Sequence, residues 1–238
     1  MGEMIIEDEE FGLIEVRSNA RIKRYGIKIL SDGKVVITMP PYGLKGKALN
    51  FFELHRAWVR EHLKRRKSKI KMFGYGVVLS TYTFDVELVR YGGEKFLGFM
   101  RREERKLLIR CPEKEDIESE NSQSIVKSIV LNAMTIEAKK VLPGWLSRLA
   151  EQHGFHYREC RVMKMRTRWG SCSASGSIHL SSMLMTLPSE LIEFVMIHEL
   201  SHTLEMNHSA RFHELVDRCL GGRERELTEK IKKYSAVL

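Results

Sequence analysis

The chain has 238 residues, 43% hydrophobic and 30% charged, with a formal net charge of +9. That is enough for one large or two small soluble domains with a proper core. No apolar run reaches the length that spans a bilayer, and the charged, acidic N-terminus lacks the apolar region of a signal peptide, so neither a membrane protein nor a leader-directed one is expected.

In chain order, the first elements read as strands: Leu13–Val16, Ile27–Leu30 and Val35–Ile37, with Ser31-Asp32-Gly33 as a hairpin turn between the last two. A helix is expected over 47–67, with Phe51, Leu54, Trp58 and Leu63 as its apolar side. Residues 81–89 and 106–110 read as further strands, around a turn at Tyr91-Gly92-Gly93. The acidic, polar stretch 113–123 is the natural place for a linker. A long helix follows from 124 to 141, is expected to break at Pro143-Gly144, and resumes through 145–153. Short strands at 161–165 and 177–180 precede an apolar helix that opens at Pro188-Ser189-Glu190, with Ser189 as N-cap. A helix over 210–220 ends at Gly221-Gly222, and a charged helix closes the chain. No internal repeat or low-complexity tract is visible.

The four cysteines, at 111, 160, 172 and 219, show no C-x-x-C pairing. They read as free thiols in a reducing compartment, so a cytoplasmic location is expected. The densest basic run is Lys64-Arg65-Arg66-Lys67 with Lys69 and Lys71. It has two readings, a solvated helix end or an attractor for nucleotides and nucleic acid. The aromatic residues do not alternate with these cations as base-stacking platforms require.

The chemistry concentrates in His198-Glu199-Leu200-Ser201-His202, followed by Asn207-His208-Ser209. Residues four apart share a helix face, so His198 and His202 can offer two imidazole nitrogens to one ion. Zinc suits nitrogen ligands in a tetrahedron with one position left for water, and Glu199, one residue round the helix, is placed to take a proton from that water. The third ligand decides the case. Ten residues of unbroken helix rise about 15 Å, so His208 reaches the ion only if the helix stops soon after His202 and the chain reverses. Asn207 tolerates the left-handed conformation that stops helices, and Ser209 can cap a new one. The spacing equals that of the metzincin signature, but Glu205 occupies the place of its turning glycine. Were the helix to run on, Glu205 would lie on the histidine face and compete with His208 as ligand.

Three stretches resemble the YgjP-like metal-dependent hydrolases, a metallopeptidase-type family related in its catalytic core to SprT-like and zincin proteases. The first is Ser31-Asp32-Gly33-Lys34-Val35-Val36-Ile37-Thr38-Met39-Pro40-Pro41 with His55-Arg56-Ala57-Trp58-Val59. The second is Arg166-Thr167-Arg168-Trp169-Gly170-Ser171-Cys172-Ser173 with Gly176-Ser177-Ile178-His179-Leu180. The third runs from His198 through Ser209 to Phe212. The resemblance implies zinc hydrolase chemistry, commonly of the peptidase type, with metal ligands at His198, His202 and His208 and the catalytic carboxylate at Glu199. Ser201 stands where a cysteine is frequent, at a position that points away from the metal.

The expected fold is α+β: a small β-rich N-terminal module with one helix over 1–112, and a zincin-like catalytic domain over 124–238. The region from Arg168 to Leu180 is the expected substrate strand. Arg168 there binds a substrate carboxylate or phosphate, or makes a structural ion pair; Trp169 walls the cleft or belongs to the core. The leading function is a zinc metallopeptidase acting on a peptide or protein. The alternatives are a metal-dependent nucleotide pyrophosphatase, and a protease or binding module associated with nucleic acid.

Overall fold

The computed structural model describes residues 4–30, 33–69, 73–165 and 167–234, without the side chains of 65–69. The protein is α+β, and it divides into two compact units, Met1–Lys71 and Met72–Leu238.

The first unit is one sheet covered by two helices. Its strands are β1 (Met4–Asp8), β2 (Gly12–Ser18), β3 (Gly26–Ile29) and β4 (Val35–Met39), in the order β1-β2-β4-β3. β2 and β4 run parallel, and each is flanked by an antiparallel edge strand. The turn into β4 closes through Leu30 N–H to Lys34 O (2.8 Å), with Gly33 at φ 86°; Ser31 and Asp32 lie outside the described residues. Alternate residues Ile14, Val16, Val35, Ile37 and Met39 face Ala48, Phe52 and Val59 of the helices.

The expected single helix is two, α1 (Lys45–Leu54) and α2 (Arg56–Lys69), separated at His55. There the His55 N–H bonds back to Phe52 O, a tighter three-residue closure, and the His55 ring takes a second bond to Phe51 O. The apolar side differs from the expected one. Leu54 and Trp58 are exposed, while Phe52 and Val59 are buried. Arg56 explains the new orientation, because it forks onto Asp8 (2.7 and 3.0 Å) and lies over the rings of Phe11 and Phe52. Most of the basic run 64–71 lies outside the described side chains.

The second unit starts with another four-stranded sheet: β5 (Gly76–Ser80), β6 (Asp85–Tyr91), β7 (Leu97–Arg101) and β8 (Lys106–Pro112). Its order, β5-β6-β8-β7, and its strand directions repeat those of the first sheet. β7 has no strand signature in the sequence because Gly98 breaks its pattern. That glycine is a packing requirement: a Cβ on it would meet Ile129 Cγ2 at 2.6 Å.

Composition puts the boundary in 113–123, but this stretch lies inside the second unit. Gln123 stitches it down, accepting from Phe73 N–H (2.8 Å) and donating to Phe73 O and Ile117 O. The inner face of the sheet, Val86, Leu88, Leu107 and Ile109, also shares one core with the following helix.

That helix, α3 (Glu120–His153), is continuous through Pro143, where a break was expected. Its buried residues, Val126, Val130, Met134, Ala138, Leu142 and Leu146, recur every four positions on both sides of the proline. A step of four residues overshoots a helical turn by about 40°, so this stripe winds around the helix. The helix packs on β8 and on the segments that follow it in the chain. Burial at both ends holds the helix together despite the hydrogen bond that Pro143 omits. Gly154, at φ 71°, then ends it.

The third sheet comprises β9 (Glu159–Met163), β10 (Gly170–Cys172) and β11 (Ser177–Ser181), in the order β10-β11-β9. β11 is parallel to β9 and antiparallel to β10, which leaves β10 as an edge. A 3₁₀ turn (Ser182–Thr186) leads into α4 (Ser189–Ser201), then α5 (Ala210–Cys219) and α6 (Glu224–Ile231). All four cysteines are free thiols, and among the described residues no helix is long and apolar enough to cross a membrane.

Candidate active site

α4 is apolar on nearly every face because nearly every face is covered; Leu191, Ile192, Phe194, Val195, Met196, Ile197 and Leu200 are all buried. Pro188 supplies the N-cap position and Ser189 is the first helical residue. Glu190 in the first turn is held by Arg223 (3.0 Å) and Lys230, which ties the start of α4 to α6. The helix thus presents His198 and His202 from a fixed frame.

The helix stops at Ser201, and the chain tightens and reverses. Thr203 N–H bonds to Leu200 O, and Leu204 and Glu205 N–H both bond to Ser201 O. Asn207 does not use the left-handed region, since Arg105 is the one non-glycine residue with positive φ among those described. Instead, its carbonyl accepts from Ser209 N–H at 2.7 Å, and Ser209 Oγ caps α5 by accepting from Phe212 N–H. This reversal carries His208 back over α4.

The three imidazoles meet. His208 Nε2 lies 3.2 Å from His198 Nε2, and one nitrogen from each of His198, His202 and His208 falls within 4.8 Å of the others. Two nitrogens bound tetrahedrally at zinc distances stand about 3.3 Å apart, so the His198–His208 spacing fits one shared ion, and His202 lies within 4.8 Å of both. His202 Nδ1 donates to Glu205 O at 3.0 Å, which turns its Nε2 toward the cluster. Glu205 therefore contributes its backbone carbonyl, and its carboxylate is not among the clustered ligand atoms, because the helix ends before it could share their face. Phe212, fully buried, forms the floor beneath all three rings; it stacks on His202 (centroids 4.5 Å) and meets His198 and His208 edge-on. The sequence placed Phe212 only at the end of a motif, since a phenylalanine on an amphipathic helix reads as ordinary core.

Glu199 is buried at 6% exposure, against β10. Arg168 is exposed and near enough for its charge to act on Glu199; Trp169 is half-buried, packs on the main core, and accepts from Ser181 N–H at 2.8 Å. His213 is half-exposed and bonds Glu224 through Nδ1 at 2.6 Å, with its ring 6.3 Å from that of His208.

Burial pushes the His198 pKa down to about 4, helped by the neighbouring His202, His208 and His213, and lowers that of His202. Both rings are thus neutral, the form that binds metal. Burial pushes Glu199 the other way, up to about 7, against the positive charge of Arg168. These shifts oppose each other in the metal-free protein. For His198, the unfolded chain binds the extra proton between pH 4 and 6.5, so stability falls as pH falls. For Glu199, the folded chain holds the extra proton between pH 4.5 and 7, so stability falls as pH rises. Each effect is worth about 3 kcal/mol. Chelator-treated wild type is therefore expected to lose less stability than the Glu199→Gln protein as pH drops from 6.5 to 4.5, because Glu199 offsets His198 and leaves only the loss from His202. Chelated Glu199→Gln protein should lose about 3 kcal/mol as pH drops from 6.5 to 4. Parallel slopes for the two proteins would contradict this assignment.

Three clustered imidazoles on an α+β frame, with the buried Glu199 adjoining His198 in the chain, form a group that could hold one metal ion. The chain belongs to the YgjP-like family: the model of the YgjP-like metallopeptidase domain matches residues 23–234. Among solved structures, the crystal structure of the metallopeptidase zymogen of Pyrococcus abyssi abylysin is similar at 22% identity and a TM-score of 0.34, covering 37% of this chain and 89% of that one. No curated protein matches.

Proposed function

We propose that this protein is a zinc-dependent peptidase in which His198, His202 and His208 hold one ion and Glu199 is the general base. The observation that carries the reading is the 3.2 Å approach of two imidazole nitrogens from residues ten apart, with the buried Glu199 next to one of them in the chain. An ion held by the three rings supplies Lewis acidity toward a carbonyl and toward water. Glu199 accepts the proton of the attacking water and returns it to the leaving amine. His208, the exposed ligand, marks the side from which substrate enters, and Phe212 closes the opposite side.

In this reading α4 and the third sheet form a zincin-like core, and an extended peptide pairs along the free edge of β10. Arg168 and Trp169, just before that strand, bind the substrate, with Arg168 matched to a carboxylate. The family assignment favours the peptide bond over the phosphoanhydride. The test is elemental analysis of the purified protein, followed by hydrolysis assays on casein-like peptides and on nucleoside triphosphates. About one zinc per chain and cleavage of peptides alone are expected. Triphosphate hydrolysis without peptide cleavage would overturn the proposal.

A further inference from the structure

The second motif, Arg168-Trp169-Gly170-Ser171-Cys172, enters the site through its glycine. Gly170 and Cys172 lie opposite Leu180 and Ile178 of β11, two buried core residues, so they occupy the inward face of β10. An ideal Cβ on Gly170 would lie 2.7 Å from Glu199 Cγ, 2.8 Å from Oε1 and 3.0 Å from Cδ. Those are the three nearest atoms to it, and all belong to one side chain. The backbone does not demand a glycine: Gly170 is not among the residues with positive φ, so its conformation is open to any side chain. Only the side chain of Glu199 requires the missing Cβ.

We propose that Gly170 is a positioning residue for Glu199. The bare backbone of β10 forms the wall against which the buried carboxylate lies, and that wall sets the direction of its oxygens. A side chain at 170 pushes the whole segment from Cγ to the carboxylate, and Glu199 cannot yield freely because it is buried on a helix packed on nearly every face. This rests on Glu199 being the general base, whereas the contact itself can be tested without any reaction.

The experiment is a double-substitution cycle on the metal-loaded protein. Gly170→Ala is expected to lower Tm by about 3–8 °C, as overpacking does. Glu199→Ala removes the three atoms nearest the new Cβ, so in that background Gly170→Ala should leave Tm unchanged or raise it. In turnover, Gly170→Ala should keep its metal, lose kcat by roughly 10- to 100-fold, and hold KM within about twofold, as expected when a reacting group is displaced by a fraction of an ångström. An equal Tm loss in both backgrounds overturns the contact. An unchanged kcat, or a loss carried by KM instead, overturns the positioning role and makes β10 a substrate strand only. If the wild type cleaves no peptide, the peptidase reading falls while the Tm cycle still decides whether Gly170 holds Glu199.

Discussion

Glu199→Gln protein should retain its metal and lose peptide hydrolysis by about 10²- to 10⁴-fold, the usual contribution of a positioned general base. The substitution is nearly isosteric, so the wall formed by Gly170 still receives a side chain of the same shape. What disappears is proton acceptance. The amide neither takes a proton from water nor gives one to a leaving amine, and the loss should appear in kcat with KM little changed. Elemental analysis and steady-state kinetics on one preparation separate the outcomes. Loss of metal together with activity would mean that Glu199 serves the site structurally. Metal and activity both retained would remove it from the chemistry.

His208→Ala addresses the other half of the centre. His198 and His202 come from one helix, and a pair one turn apart is the minimum any histidine-bearing helix can offer. His208 completes the set only because the chain reverses over 203–209. Structural zinc sites bind with about 10–16 kcal/mol over four ligands, so losing one of three imidazoles should cost on the order of 3 kcal/mol, roughly 100-fold in affinity. Competition with a chelator of known affinity measures this directly. His208 is exposed and the fold does not depend on its packing, so the variant should fold normally, with a Tm that rises only at roughly 100-fold higher zinc than wild type needs. Glu205→Ala is the control: its side chain is outside the ligand cluster and its carbonyl remains available to His202, so affinity should be unchanged. Zinc binding as tight in His208→Ala as in wild type would remove His208 from the coordination set.

Local patterns explain why much of the site was legible in the chain. His198 and His202 at a spacing of four, the apolar run around them and the cap at Ser209 are all short-range signals, and each corresponds to an element of the structure. The fold was less legible where one residue serves a distant partner. Gly98 hides β7 because it makes room for Ile129, and Gly170 hides the short β10 because it makes room for Glu199. Pro143 reads as a helix break, yet α3 runs on because its buried residues continue on both sides of the proline. The acidic stretch 113–123 reads as a linker, but Gln123 fastens it to Phe73, fifty residues earlier.

The sequence alone determined the donor types, the carboxylate beside them and the helix that carries them, since these depend on spacings within two or three turns. Tertiary structure decided which third side chain joins the two helical histidines, what lies beneath the rings and what presses on Glu199. Those outcomes depend on where the chain reverses and which strand arrives, and burial of the shared core sets both.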